Sequence, residues 1–400
     1  MHPAELSPST QDYLKTIWRL GEWEPERVTT TSLAARMGLA ASTVSEALKK
    51  LTAQGLVTRP FNTPTEVAAA FGAQQGQDLP GVLASLALRT RDGGIDAVLE
   101  ACARGEIVRG YPMRGTVFLT AAADLRWITE LCVEKSLRES SRIIKSRGIG
   151  TEHVERSAAL AAEELADGPR PRAQVYARWE DAGLSEAQGA NYHLMFHHIA
   201  RGMLCYGPVI DGDHYVVLAE SWLPEGSGLE DRFNGDRDAA CAELLRRYLN
   251  TRGPATLRDF SWWSKLPLGQ IRRAFPLVRD RFEELPGDEH RYQRNGLADE
   301  MAAMGRRASR PILLPDFDEF ILGYQDRLFA LTEADHRKLV PGNNGFFRRS
   351  AVANGRVVGS WQRKGAPGRR NLELNCFTDL SDRVVTGFEK AFTSWPFLTD

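Results

Sequence analysis

The 400-residue sequence predicts an α+β chain, mainly helical, with tandem winged-helix modules followed by a C-terminal antiparallel β region. Three observations predict it. Residues 7–59 read as helix, turn, helix; two later stretches repeat that pattern and then add a hairpin; beyond Pro311 the helical period gives way to strands. The length suits several modules rather than one core. The expected divisions are a helix-turn-helix over 1–60, a body over 61–165, winged helices over 166–235 and 236–300, and a basic β-rich region over 301–400.

The first helix is expected in "SPSTQDYLKTIWRLG", with Ser7 as N-cap, Pro8 at the first helical position and Gly21 past its end. A second helix should stop at Gly38, and a third should run from about Ser42 to Gln54. In that third helix Val44, Leu48 and Leu51 sit at i, i+4 and i+7, which turns them inward. Ser42, Thr43, Ser45, Lys49 and Lys50 are left outside. Short polar side chains would then face base edges and lysines would face phosphates, as in a DNA-binding helix-turn-helix.

Further on, "RAQVYARWEDAGLSEAQGANYHLMFHHIARGMLCYGPVIDGDHYVVLAE" gives a helix, a turn at Gly183, a longer helix and a hairpin through Asp211-Gly212. The stretch "AACAELLRRYLNTRGPATLRDFSWWSKLPLGQIRRAFPLVRDRFEEL" repeats the logic, with Thr256 as N-cap, Pro267 at the turn and a short wing at Pro286-Gly287. In "GFFRRSAVANGRVVGSWQRK" the dipeptide Asn354-Gly355 marks a hairpin, and "NLELNCF" can add a third strand.

Net charge is -1, so partner chemistry must be read from distribution rather than from the sum. From Arg337 to Arg370 there are nine basic residues and no acidic one. Arg348, Arg349, Arg363, Lys364, Arg369 and Arg370 in this segment are candidate DNA-phosphate contacts, placed on a sheet where alternate arginines share a face. Arginine suits this because its planar fork matches phosphate oxygens. The five cysteines form no CxxC pair or framework spacing, and no apolar run approaches a membrane span. The N-terminus lacks a signal-peptide pattern, so the expected location is cytoplasmic.

Two resemblances add to this reading. Over residues 7–59, "STQDYLKTIW" and "STVSEALKKLTAQGLV" resemble the N-terminal DNA-binding module of the DtxR/MntR family of metal-dependent repressors. Of the two metal ligands that resemblance implies in the first helix, Asp12 matches and Lys15 replaces the other, so no metal cofactor is expected. From about Lys50 onward the chain resembles winged-helix DNA glycosylases of the AlkZ/YcaQ type. The likeness is carried by "AQGLVTRPFNTPTEV", "GAQQGQD", "YPMRGTVFLTAAADLRW", "RYLNTRGPATLRDFSWWSKLP", "LLPDFDEFILGYQDR" and "NGRVVGSWQRK". It implies double-stranded DNA as partner and hydrolysis of the N-glycosidic bond of N7-alkylated or crosslinked purines. It also implies a catalytic Gln-x-Gln pair, which Gln75 and Gln77 match. Gly76 replaces the aliphatic residue between them, and Phe118 stands where a histidine is common. The alternative function class is a non-catalytic DNA-binding protein or regulator.

Arg114 in "MRGT" is a candidate for a DNA phosphate, with a buried ion pair as the alternative. His193, His197 and His198 share a helix at metal-ligand spacing, but helix packing against the wing is expected instead. Asp316, Asp318 and Glu319 are expected to be structural, with Arg327 as candidate partner, and Trp262 and Trp263 are expected in the core.

Overall fold

The computed structural model describes residues 41–57, 61–287, 289–343, 345–366 and 368–398. The helices expected before residue 41, with Ser7, Asp12, Lys15 and Gly38, lie outside the described residues. The protein is a mixture of helices and antiparallel sheets, and it divides into two compact units. One comprises residues 41–52, Gly296–Leu314 and Asp326–Ser394; the other comprises Ala53–Asn295, Pro315–Gln325 and residues 395–398.

The first described helix is α1 (Ala41–Ala53). The larger unit then begins with α2 (Pro64–Phe71), capped by the Thr63 hydroxyl accepting from Glu66 N–H, as its Thr-Pro start favours. A two-residue strand β1 (Gln74–Gln75) leads into α3 (Leu79–Arg89) and α4 (Ile95–Ala103). A hairpin of β2 (Ile107–Met113) and β3 (Thr116–Ala121) follows, then α5 (Ala122–Cys132), α6 (Glu134–Ser146) and α7 (Thr151–Leu165). Next come α8 (Arg172–Asp181), α9 (Ala190–Ala200) and the hairpin β4 (Leu204–Ile210) and β5 (Asp213–Leu218).

These strands make one antiparallel sheet in the order β1-β3-β2-β4-β5. The hairpin through Asp211-Gly212 is present, and Arg109↔Tyr206 pairing joins it to β2 across the boundary expected near residue 165. One core gathers Val67, Phe71, Val82, Leu83, Leu86, Val98, Ile107 and Leu119 from α2, α3, α4 and the β2–β3 hairpin. A second gathers Ile144, Leu165, Trp179, Leu194 and Phe196 from α6–α9 with Tyr111, Tyr206 and Val216 of the sheet. Burial of such side chains, at about 25 cal/mol per Å² of apolar surface, is what makes the edge strand β1 a fixed platform.

The unit continues with α10 (Arg237–Arg252), β6 (Ala255–Thr256), α11 (Leu257–Ser264), α12 (Leu268–Ala274) and the hairpin β7 (Phe282–Leu285) and β8 (Arg291–Arg294). Thr256 is the N-cap, in a capping box with Asp259, and Pro267 precedes α12, both as the sequence predicts.

In the smaller unit, α13 (Leu297–Met304), β9 (Ile312–Leu314) and α14 (Glu333–Leu339) precede β10 (Ser350–Ala353), β11 (Arg356–Lys364) and β12 (Asn371–Cys376), and α15 (Asp382–Thr393) follows. The sheet order is β12-β11-β10-β9. The Asn354-Gly355 turn is where the sequence predicts it, and both residues have positive φ. A Cβ on Gly355 would lie 2.9 Å from Ala47 Cβ, so the glycine lets the hairpin tip sit directly on α1.

Candidate active site

The motif "AQQGQD" divides its three glutamines by depth. Gln74 is buried in β1, with Nε2 3.4 Å from Ser85 Oγ and Oε1 without a partner. Gln75 is half-buried: its backbone pairs opposite Phe118, and its Oε1 accepts from Thr116 Oγ1 at 3.3 Å. Gln77 is exposed, and its side chain makes no hydrogen bond among the described residues. Asp78 then caps α3, accepting from Gly81 N–H at 2.8 Å. The two outer amides therefore stand at the foot of a helix, and the inner one fills the core.

Between them, Gly76 is pinned rather than loose. Its N–H donates to Val117 O at 2.8 Å. A Cβ there would lie 3.3 Å from Arg109 Cδ and 3.4 Å from the backbone of Phe118 and Leu119, so an aliphatic residue would have to push Arg109 aside. The missing Cβ therefore serves a close approach of strand and Arg109, not a freer backbone. Phe118 is fully buried.

The strand is held from behind by a buried network. Glu319 Oε1 accepts from Gln75 N–H at 2.9 Å, while Oε2 accepts from Arg252 Nη2 at 2.8 Å and Trp263 Nε1 at 3.2 Å. Arg252 also donates to the carbonyls of Phe71 and Ala73, the two residues flanking Gly72. Beside it, Asp318 takes a two-pronged contact from Arg89 at 2.8 and 3.0 Å, a hydrogen bond from Ser85 Oγ at 2.9 Å and the N–H of Phe320. Arg89 reaches Gln54 Oε1 at 2.7 Å. The expected structural role of Asp318 and Glu319 agrees with this geometry, but their partners are Arg89 and Arg252. Arg327 lies over the Phe347 ring at 5.0 Å. Asp316 and Phe317 form a turn and Asp318 caps the short helix that follows, so the segment is not a strand, and Asp316 is half-buried.

Close to Gln75, the tight turn Arg114-Gly115 precedes Thr116, and both turn residues have positive φ. Arg114 lies 4.4 Å from the Trp262 ring centre and Lys265 lies 5.5 Å from the same ring. Burial lowers the Arg114 pKa, opposed by the Glu319 charge. The tryptophan pair thus splits: Trp263 is core, whereas Trp262 is half-buried with two cations against its ring.

The remaining candidates disperse. Lys50 is 1% exposed, paired with Glu46 at 3.1 Å and set over the Phe329 ring at 4.7 Å, so its assignment to DNA phosphate is corrected. Lys49 is half-buried on the same helix, and the side chains of Ser42 and Thr43 lie outside the described residues. Of the basic segment, Arg337 and Lys338 belong to α14, not a strand. Arg348 is exposed and Arg349 half-buried, stacked on Trp361 at 5.1 Å. Arg363 and Lys364 are neighbours at the end of β11, hence on opposite faces, and Lys364 pairs with Glu373 at 3.1 Å. Arg369 is exposed and Arg370 half-buried in the following loop. The expectation of one arginine-lined sheet face is therefore corrected: the cations are divided among a helix, a strand and two loops.

On α9, His198 is buried, its Nε2 2.7 Å from Ser157 Oγ. Because that hydroxyl donates to Val154 O, it accepts from the ring, which fixes the proton on Nε2. Burial lowers its pKa to about 4, helped by the neighbouring His197.

A family model described as "DNA glycosylase AlkZ-like" matches residues 68–395, and one described as "Iron dependent repressor, N-terminal DNA binding domain" matches residues 5–59. An interstrand DNA cross-link repair glycosylase of Streptomyces sahachiroi is 27% identical over 166 residues, 40% of this chain and 43% of that protein. The match therefore spans under half the length of that relative. The solved Streptomyces sahachiroi DNA glycosylase AlkZ has the same fold, with a TM-score of 0.66 at 19% identity over 88% of this chain and 95% of that one. The extent of the family match decides the assignment: this chain belongs to the AlkZ-like DNA glycosylase family.

Proposed function

We propose that this chain is a monofunctional DNA glycosylase that hydrolyses the N-glycosidic bond of N7-alkylated or crosslinked purines in double-stranded DNA. The observation that carries the reading is the contrast within one motif: Gln75 is fixed through its backbone by Glu319, while the Gln77 side chain is exposed. An N7-alkylated purine is cationic and leaves without strong acid help. As the bond from N9 to C1′ breaks, its electron pair neutralises the ring and C1′ becomes cation-like. Water then bonds to C1′ and loses a proton. The amide carbonyls of Gln75, held by Thr116, and of Gln77, turned to solvent, orient that water and stabilise the sugar cation through their dipoles.

Within this reading, α8 and α9 with the β4–β5 hairpin, and α11 and α12 with the β7–β8 hairpin, are winged-helix modules. Arg114, Lys49, Arg348, Arg349, Arg363, Lys364, Arg369 and Arg370 serve DNA phosphates, and the N-terminal module adds DNA affinity without a metal. No described helix is long and apolar enough to cross a membrane, in keeping with a cytoplasmic location. The second reading, a non-catalytic DNA-binding protein, draws on Phe118, whose buried ring offers no proton-transfer group opposite Gln75.

The test is a duplex carrying one N7-methylguanine, incubated with the protein and treated with alkali. Strand cleavage at the lesion is the expected result. No cleavage on methylated and on N7-crosslinked duplexes overturns the glycosylase reading in favour of the second.

A further inference from the structure

The glutamine motif is continuous, through a short series of contacts, with a cationic helix face. Thr116, which donates to Gln75, follows the Arg114-Gly115 turn. Gly115 packs on the first turn of α6, where a Cβ would sit 3.6 Å from Ser136 Oγ. Lys265 shares the Trp262 ring with Arg114, and its pKa is lowered by burial and by the nearby charges of Arg114 and Lys135.

From that first turn, α6 carries Lys135, Arg138, Arg142 and Lys145 at i, i+3, i+7 and i+10, one stripe of the helix surface. All four are exposed. Only Arg138 has an ion pair among the described residues, a solvent-exposed one with Glu134 at 3.4 Å. At 1.5 Å per residue the stripe runs about 15 Å, roughly four nucleotide steps along one DNA strand. Arg201, at the C-cap of α9, joins Arg138, Arg142 and Ser141 in lining a groove beside it.

We infer that this face of α6, with Arg201 across the groove, is a track for the DNA phosphate backbone that leads one strand to Gln75 and Gln77. The occupant is a polyanion of regular spacing, because several unpaired cations in a row gain by releasing condensed counterions. The inference rests on the glycosylase reading for its direction, not for its binding. It assigns the larger unit a DNA contact independent of residues 337–370.

The experiment measures binding of the full chain to undamaged duplex against salt. Converting Lys135, Arg142, Lys145 and Arg201 together to alanine is expected to reduce the slope of log K against log salt by two or more, at about 0.9 per lost phosphate contact. The charge-keeping set Lys135→Arg, Arg142→Lys, Lys145→Arg and Arg201→Lys should retain the wild-type slope, which separates lost charge from lost folding. An alanine variant with the wild-type slope, or a charge-keeping set that loses it, overturns the track. If the wild type releases N7-methylguanine and the slope is unchanged, the track fails and the glycosylase reading stands. If the slope falls but the wild type releases no base, the track stands and the glycosylase reading fails.

Discussion

Arg89 and Arg252 are wholly enclosed and each faces one carboxylate, whereas Arg348 and Arg369 stand in solvent and make no ion pair among the described residues. The first pair sits in the network behind the glutamine motif; the second belongs to a stretch of 34 residues without a single acid. An enclosed guanidinium must be neutralised and hydrogen-bonded where it lies, so its environment dictates its neighbours. An exposed one is satisfied by water and costs little, so it is free to meet a ligand. The two regions thus use one side chain in opposite ways, the first for position and the second for charge.

Glu319 gives the strongest way to break this contrast. Replacing it with alanine leaves Arg252 without its counter-charge and Gln75 N–H without an acceptor, inside the core. Breaking such a buried pair costs about 3–5 kcal/mol. Urea unfolding of Glu319→Ala should show a loss of that size. A loss under about 1 kcal/mol would mean that the network is not what holds the motif.

The sequence made the peripheral elements legible and left this network hidden. Turn and cap signals at Thr256, Pro267, Asp211-Gly212 and Asn354-Gly355 act within a few residues, so they can be read locally. Glu319 meets partners 56, 67 and 244 residues away, and no local rule reaches that far. One signal was available: Arg252 follows Leu245, Tyr248 and Leu249 at i+7, i+4 and i+3, on the apolar face of α10, and Arg89 likewise follows Val82 and Leu86. A cation on a buried stripe demands an anion. Lys50 carries the same lesson, since it follows Ala47 by three residues and is covered by Phe329.

His198 extends the comparison to pH. Its folded pKa of about 4 lies below the ordinary value of 6.5, so the unfolded chain takes up a proton between these values and the folded chain does not. Its contribution is therefore complete above pH 6.5 and is lost as pH falls towards 4, by about 3 kcal/mol at 1.36 kcal/mol per pKa unit. Unfolding midpoints measured at pH 7 and pH 5 should differ less in His198→Gln than in the wild type. An equal difference would assign the acid sensitivity elsewhere.

Gln77 separates position from chemistry within the motif. It makes no hydrogen bond among the described residues, so Gln77→Ala should leave the melting temperature within a degree or so, by the rule that exposed substitutions fall within about 0.5 kcal/mol. Single-turnover release of N7-methylguanine should nevertheless fall about 100-fold, about 2.7 kcal/mol of barrier, because the dipole acts on the transition state. A lower melting temperature with a proportional loss of excision would return Gln77 to the structural class.

The smallest effect on folding belongs to the exposed cations, and it sharpens the contrast from the other side. Arg348, Lys364 and Arg369 are exposed, and the one ion pair among them, Lys364 with Glu373, is open to solvent on the lysine side at 71%. Exposed pairs are worth about 0.2–1 kcal/mol, because water screens the charges and both side chains lose freedom on pairing. The triple alanine variant should therefore unfold within about 1 kcal/mol of the wild type. Its DNA binding should respond differently, with the slope of log K against log salt flatter by about 0.9 for every phosphate contact removed, whatever the sequence. An unchanged slope with unchanged stability would make these cations solubilising charges alone. Loss of stability comparable to that of Glu319→Ala would erase the distinction between the two regions, since it would show that arginine and lysine at the surface of this protein hold the fold as firmly as arginine inside it.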